Sequence, residues 1–187
     1  MKKTSYGATA ARPGGAVWRG LTQGFLGVAL VVIAATGCSD RAFRQNGSSA
    51  MAPTIQPNES VVAEMGAYRS GKPQRWDVVV FYPPMEETGT KQGEVWVMRV
   101  AGLPGESLDI RGDGIYADGR RQAQPGRIDV IRYFPGIQGA MVRGVSYPCK
   151  IPEGSYFLLG DNTTNSFDSR FWGPVSGQRI LGRVRNK

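Results

Sequence analysis

Four segments of this chain hold side chains able to do chemistry. They are Ser48-Ser49-Ala50-Met51-Ala52-Pro53-Thr54, Arg75-Trp76-Asp77-Val78-Val79-Val80-Phe81, Met98-Arg99-Val100-Ala101-Gly102-Leu103-Pro104-Gly105-Glu106, and the long run from Gly160-Asp161-Asn162 through Ser166-Phe167-Asp168-Ser169-Arg170 to Gly173. Among them are the hydroxyls of Ser48, Ser49 and Ser166, the carboxylates of Asp161 and Asp168, the Asn162 amide and the Arg170 guanidinium. A serine hydroxyl becomes a useful nucleophile only when a neighbouring base takes its proton. The 187 residues include no histidine, which excludes the Ser-His-Asp triad, the Cys-His dyad and every histidine-based metal site. Two cysteines, Cys38 and Cys149, exclude a disulfide framework and a four-cysteine zinc site. No metal and no cofactor is expected. Bland readings stand beside these: Gly160-Asp161-Asn162 is a good turn, Asp168 and Arg170 suit a scaffold ion pair, and Cys149 reads as a small buried hydrophobe.

The elements that must position these groups are strands. Gly (26) and Pro (12) make up about a fifth of the chain, and both weaken helix interiors. Ser60–Met65 reads as a strand. Asp77–Tyr82 holds an unbroken apolar run, as expected of a strand buried on both faces, and Pro83-Pro84 stops it. Glu94–Ala101 is another strand. Leu108–Ile110 and Gly114–Tyr116 flank a turn at Gly112-Asp113-Gly114, and Ala117-Asp118-Gly119 signals a second turn. Ser155–Leu159 and Arg179–Val184 complete the set. This spacing predicts a mostly β domain over residues 48–187, an antiparallel barrel or sandwich. Trp76, Trp96 and Trp172 read either as core or as side chains facing lipid headgroups.

Ahead of that domain, Gly20–Ser39 carries no charge over 20 residues, about 30 Å as a helix and so about one bilayer core. Residues 1–19 are a basic leader with Lys2, Lys3, Arg12 and Arg19, which keeps the N-terminus in the cytoplasm. Three readings of residues 20–39 stand: an uncleaved anchor, a lipoprotein-type signal ending at Ala35-Thr36-Gly37-Cys38, and a removable secretory signal. Each puts residues 40–187 on the outer side of the cytoplasmic membrane, with Asp40–Gly47 as a short polar linker. The net charge of +8 comes half from that leader, and no dense Lys/Arg run with aromatic partners appears after it. Nucleic acid is therefore not an expected partner; anionic lipid is.

Taken in order behind an amino-terminal apolar segment, the four segments resemble type I signal peptidases over about residues 47–185. The run from Gly160 to Gly173 carries the most specific part of the likeness, and Arg99-Val100-Ala101-Gly102-Leu103-Pro104-Gly105 nearly as much. The resemblance implies a β-fold and a Ser/Lys endopeptidase that removes signal peptides from secreted precursors at small-residue sites. It also implies a lysine desolvated enough to lose its proton near neutral pH, against a reference pKa of about 10.4.

Position by position, the same resemblance exposes a conflict. The family nucleophile directly precedes the Met of Met-x-Pro-Thr, and here that residue is Ala50. The family base directly precedes the Arg of Arg-Val-x-Gly-Leu-Pro, and here that residue is Met98. Ala has no hydroxyl, and a thioether has no titratable proton. Ser48 matches a serine that helps form the oxyanion hole, and Ser166 the serine that hydrogen-bonds the base. Asp168 and Arg170 match a bracing charged pair, and Asp161 and Asn162 match turn residues beneath the site. Met98 is about as long as a lysine stem and fills the same slot between its same-face neighbours Trp96 and Val100. Both replacements remove chemistry and spare shape.

The expected function is thus a signal peptidase-like membrane protein that has lost its own cleavage, a pseudoenzyme that holds secreted precursors or signal-peptide segments. One rival is an active peptidase with a displaced dyad built on Ser49. Another is a membrane-tethered adaptor of the secretion machinery, docked to an active signal peptidase.

Overall fold

The structure is a computed structural model and describes residues 39–44, 47–135, 144–185 and 187. Cys38 and the apolar segment up to residue 38 lie outside the described residues, and so do their anchor and lipoprotein readings. Among the described residues, no helix is long and apolar enough to cross a membrane.

The strands, in chain order, are β1 (Ser39–Arg44), β2 (Ser60–Met65), β3 (Val78–Phe81), β4 (Trp96–Gly102), β5 (Ser107–Arg111), β6 (Gly114–Ala117), β7 (Arg120–Arg121), β8 (Cys149–Lys150), β9 (Ser155–Leu159), β10 (Val175–Ser176) and β11 (Ile180–Val184). Two four-residue helices, α1 (Met85–Thr88) and α2 (Ser169–Trp172), interrupt them. All strand pairing is antiparallel. One sheet runs β1-β2-β11-β3-β4-β9-β10, and a smaller one runs β7-β6-β5-β8.

The central strands follow from their side chains. β3 is Val-Val-Val-Phe, β-branched and aromatic residues that suit a pleated surface, and all four are buried. Its alternation serves two cores. Val78 and Val80 pack with Met51, Ile55 and Val97 on one face; Val79 and Phe81 pack with Met98, Val100 and Leu158 on the other. Each such side chain contributes about 1.5–3 kcal/mol by leaving water. A third cluster, with Ala101, Leu108, Ile115, Phe157 and Leu159, joins the two sheets. Both glycine turns are present: β5 meets β6 at Gly112–Gly114, and β6 meets β7 at Asp118 and Gly119, whose φ angles are 48° and 77°.

Two expectations change. The stretch 40–47, expected as a linker, contributes most of β1, which pairs with β2 from Ser39↔Met65 to Arg44↔Ser60. Its sequence hides this, because only Phe43 packs against the core and an edge strand needs no alternation beyond that. Cys149, expected as buried, is half-buried, since β8 is a two-residue strand at the border of the small sheet. Burial raises its thiol pKa.

Candidate functional site

The segment before β2 is fixed from below and from behind. Met51 and Ile55 are fully buried, so the turn that joins them is anchored in the core, with Ile55 N–H donating to Met51 O at 2.9 Å. Behind it, Asn162 N–H donates to Ala50 O at 2.9 Å and Asn162 Nδ2 to Ser49 O at 3.1 Å. Ala50 thereby lines a cavity of about 690 Å³. Ser48, Ser49, Met98 and Ser166 line the same cavity, with Trp96, Phe43 and Phe171.

Met98 belongs to β4, opposite Val79 of β3, and is 2% exposed. It shares its face with Trp96 and Val100, the neighbours expected at a spacing of two. The other edge of β4 is open at this point. Pairing with β9 begins only at Arg99↔Leu159, so among the described residues no strand pairs with that edge of Trp96–Met98. An extended peptide could add there through main-chain hydrogen bonds.

Ser166 is 4% exposed, and its hydroxyl has no hydrogen-bond partner. Gly160 explains how it reaches the cavity. A Cβ on Gly160 would lie 2.1 Å from Ser166 Oγ and 2.5 Å from Ala50 O, so only glycine lets the two approach. Ser48 is exposed and accepts from Ala50 N–H at 3.3 Å. Ser49 Oγ accepts from Asn165 Nδ2 at 2.7 Å.

Asp168 and Arg170 do not line that cavity; they stand behind it as a buried ion pair. Arg170 Nε donates to Asp168 Oδ1 at 2.7 Å and Nη2 to Oδ2 at 2.8 Å. Asp168 also accepts from Gly160 N–H at 3.0 Å, and Arg170 Nη1 donates to Thr163 O at 2.7 Å. The pair thus clamps the loop that carries Ser166.

A second buried pair was not legible as such. Arg99 leaves β4 on the face opposite Met98 and donates to Asp161 from Nε at 2.8 Å and Nη2 at 2.6 Å. Tyr133 OH donates to Asp161 Oδ1 at 2.8 Å, and Thr54 Oγ1 donates to Oδ2. Burial works against the Arg99 charge, but the Asp161 hydrogen bonds and charge outweigh it and raise its pKa. Tyr133 is held far above the ordinary phenol range, first by burial and then by the Asp161 charge. Arg99 Nη1 also holds the carbonyl of Trp76, whose φ of 74° is rare for so bulky a residue. The clue in sequence was an arginine inside an apolar strand, which demands a partner when buried.

The described lysines lie elsewhere. Lys187 Nζ binds Glu59 Oε1 at 2.6 Å and Thr54 O at 3.3 Å, Lys150 donates to Gly105 O, and Lys72 and Lys91 are exposed. Among the described residues, no lysine lines the cavity that holds Ala50 and Ser49.

Comparison with known proteins gives one consistent result. Residues 18–187 match the family model described as signal peptidase, peptidase S26. A signal peptidase I of Leptolyngbya laminosa is 34% identical over 170 residues, covering 88% of this chain and 77% of that protein. Signal peptidase I V of Bacillus subtilis is 31% identical over 141 residues, covering 72% of this chain and 77% of its own. Two relatives from Synechocystis are longer, and the chain spans 58% and 65% of them. A crystal structure of a signal peptidase I from Enterococcus faecalis is 30% identical, with a TM-score of 0.45 over 60% of this chain and 96% of that one.

Proposed function

We propose, from the premise that this chain belongs to the signal peptidase family, peptidase S26, that it is a member that binds precursor segments and does not cut them. The family acts on secreted precursors that carry signal peptides. One observation carries the reading: Ala50 and Met98, which the sequence resemblance aligns with nucleophile and base, line one cavity with an unpartnered Ser166 hydroxyl. A methyl group cannot attack a carbonyl, and a thioether cannot take a proton at neutral pH. Losing a nucleophile or its base costs about 10⁴–10⁶ in rate. Oxyanion donors alone leave about 10³–10⁴ over water, too slow for precursor processing.

Ser48, Asp161, Asn162, Asp168 and Arg170 keep the cavity in shape, and the open edge of β4 receives an extended segment with small side chains. In this reading residues 20–39 anchor the chain, residues 1–19 stay in the cytoplasm, and the β domain faces outward at the membrane surface. The displaced-dyad rival needs a lysine at the cavity, and the partners that Lys187 and Lys150 take elsewhere argue against one.

The test is direct. The full chain, purified in detergent, is incubated with a secreted precursor and the mixture resolved by gel. The reading expects an uncut precursor that nonetheless co-elutes with the chain. Turnover comparable to an ordinary signal peptidase overturns it.

A further inference from the structure

Charge in the lining of the cavity is confined to exposed side chains. Ala50 and Met98 carry none, and Asp161 and Asp168 are neutralised nearby by Arg99 and Arg170. The charged residues that line the cavity are Arg44, at the end of β1, and Glu94, two residues ahead of β4, and both are exposed.

The two differ in what already satisfies them. The Glu94 carboxylate accepts from Trp96 Nε1 at 2.9 Å and from Lys91 N–H at 3.3 Å, and the Lys91 charge acts on it as well. Arg44 has a neutral anchor instead. Its Nε donates to Asn58 O at 3.2 Å, while Asn58 Oδ1 accepts from Gly47 N–H at 3.1 Å, so Asn58 holds Arg44 and Gly47 together. Among the described residues, Arg44 enters no ion pair. Its side chain is thus held in place at the cavity with its charge uncompensated.

We propose that Arg44 is a specificity-determining residue, which selects bound segments that present an aspartate or glutamate to it. The inference rests on the reading that the cavity binds peptide. The Nε bond to Asn58 leaves Nη1 and Nη2 to grip the two oxygens of one carboxylate, a match that a neutral side chain does not offer. An exposed ion pair loses much of its Coulomb gain to the ordering of two long side chains. Here the Asn58 carbonyl already restricts one of them, so less is lost on binding. A lysine at the same position of the segment meets a like charge and is disfavoured.

The experiment uses the full chain in detergent and a neutral fluorescent peptide of small residues, with binding read by anisotropy. Aspartate and, separately, lysine are moved through the peptide one position at a time. A window of positions is expected in which aspartate tightens binding about two- to fivefold, the range of an exposed ion pair, and lysine weakens it. High salt should flatten that window. Arg44→Gln should remove it, Arg44→Glu should reverse its sign, and Arg44→Lys should keep its sign, with a retained circular dichroism spectrum showing that each variant is folded. A flat aspartate scan, or a window that survives Arg44→Gln, overturns the selectivity and leaves peptide binding intact. Failure of the neutral peptide and of every scanned peptide to bind overturns the peptide-binding reading as well.

Discussion

Ser166 and Met98 line one cavity, and the Ser166 hydroxyl finds no hydrogen-bond partner in it. A buried hydroxyl left unpaired costs about 1–3 kcal/mol. Nothing in the packing of Met98 requires this cost, since its neighbours Val79, Val100 and Leu158 are all apolar. A lysine at position 98 would supply the donor that Ser166 lacks. On the proposed reading, the hydroxyl lost its partner when a base at position 98 became Met98.

Gly160 is what brings that hydroxyl into place. Gly160→Ala would drive a methyl against Ser166 Oγ at 2.1 Å and the Ala50 carbonyl at 2.5 Å, and a backbone oxygen tied to Asn162 cannot swing away. Overpacking of this kind costs about 1–3 kcal/mol. Urea unfolding should show a loss of that size, together with weaker peptide binding. An unchanged midpoint would mean that the loop is looser than the contacts imply.

The Arg99–Asp161 pair is 2% and 0% exposed at its side chains, so each charge depends on the other. Asp161→Ala leaves a buried guanidinium without its carboxylate and takes an acceptor from Tyr133 and Thr54. The expected loss is about 3–5 kcal/mol. A loss under about 1 kcal/mol in denaturant melts would show that water replaces the carboxylate.

Tyr147 offers the reverse case. Its hydroxyl is buried with no partner beside Phe157, and burial raises its pKa. Tyr147→Phe removes an unsatisfied group and keeps the ring. Stability should rise by about 1 kcal/mol, read as a higher urea midpoint with unchanged slope. A fall of that size would reveal a hydrogen bond to the hydroxyl.

Acid should loosen the fold at Glu59. Its carboxyl is held below the ordinary value of 4.5, first by the hydrogen bond from Lys187 and then by Gln56 N–H. A depressed folded-state pKa stabilises above the unfolded value, and that stabilisation is lost as pH falls below about 4.5. Glu59→Gln should therefore lower stability at pH 7 and give a shallower acid limb, with the two proteins converging at low pH. Parallel limbs would show that Glu59 has no part in acid unfolding.

Much of this fold could be read from local pattern. The Val78–Phe81 run announced a strand buried on both faces, and Gly112-Asp113-Gly114 announced its hairpin, because period and turn chemistry act over a few residues. The same holds for the one-sided alternation that puts Trp96, Met98 and Val100 together. What stayed hidden depends on distant partners. β1 exists because β2 offers it an edge, and Asp161 collects Arg99, Tyr133 and Thr54 from three separate segments. The site residues named from the sequence divide by geometry as well: Ser48, Ser49, Ala50, Met98 and Ser166 line the cavity, whereas Asp161, Asn162, Asp168 and Arg170 stand behind it.

If Ala50 and Met98 are all that separates this chain from a working peptidase, restoring both side chains should restore cleavage. An assay on a secreted precursor, run in detergent with the native chain, Ala50→Ser, Met98→Lys and the double variant, measures that directly. The expected result is cleavage by the double variant and an intact precursor with the other three. Cleavage by the native chain, or none by a folded double variant, would contradict the proposal that this chain is inactive for want of those two side chains.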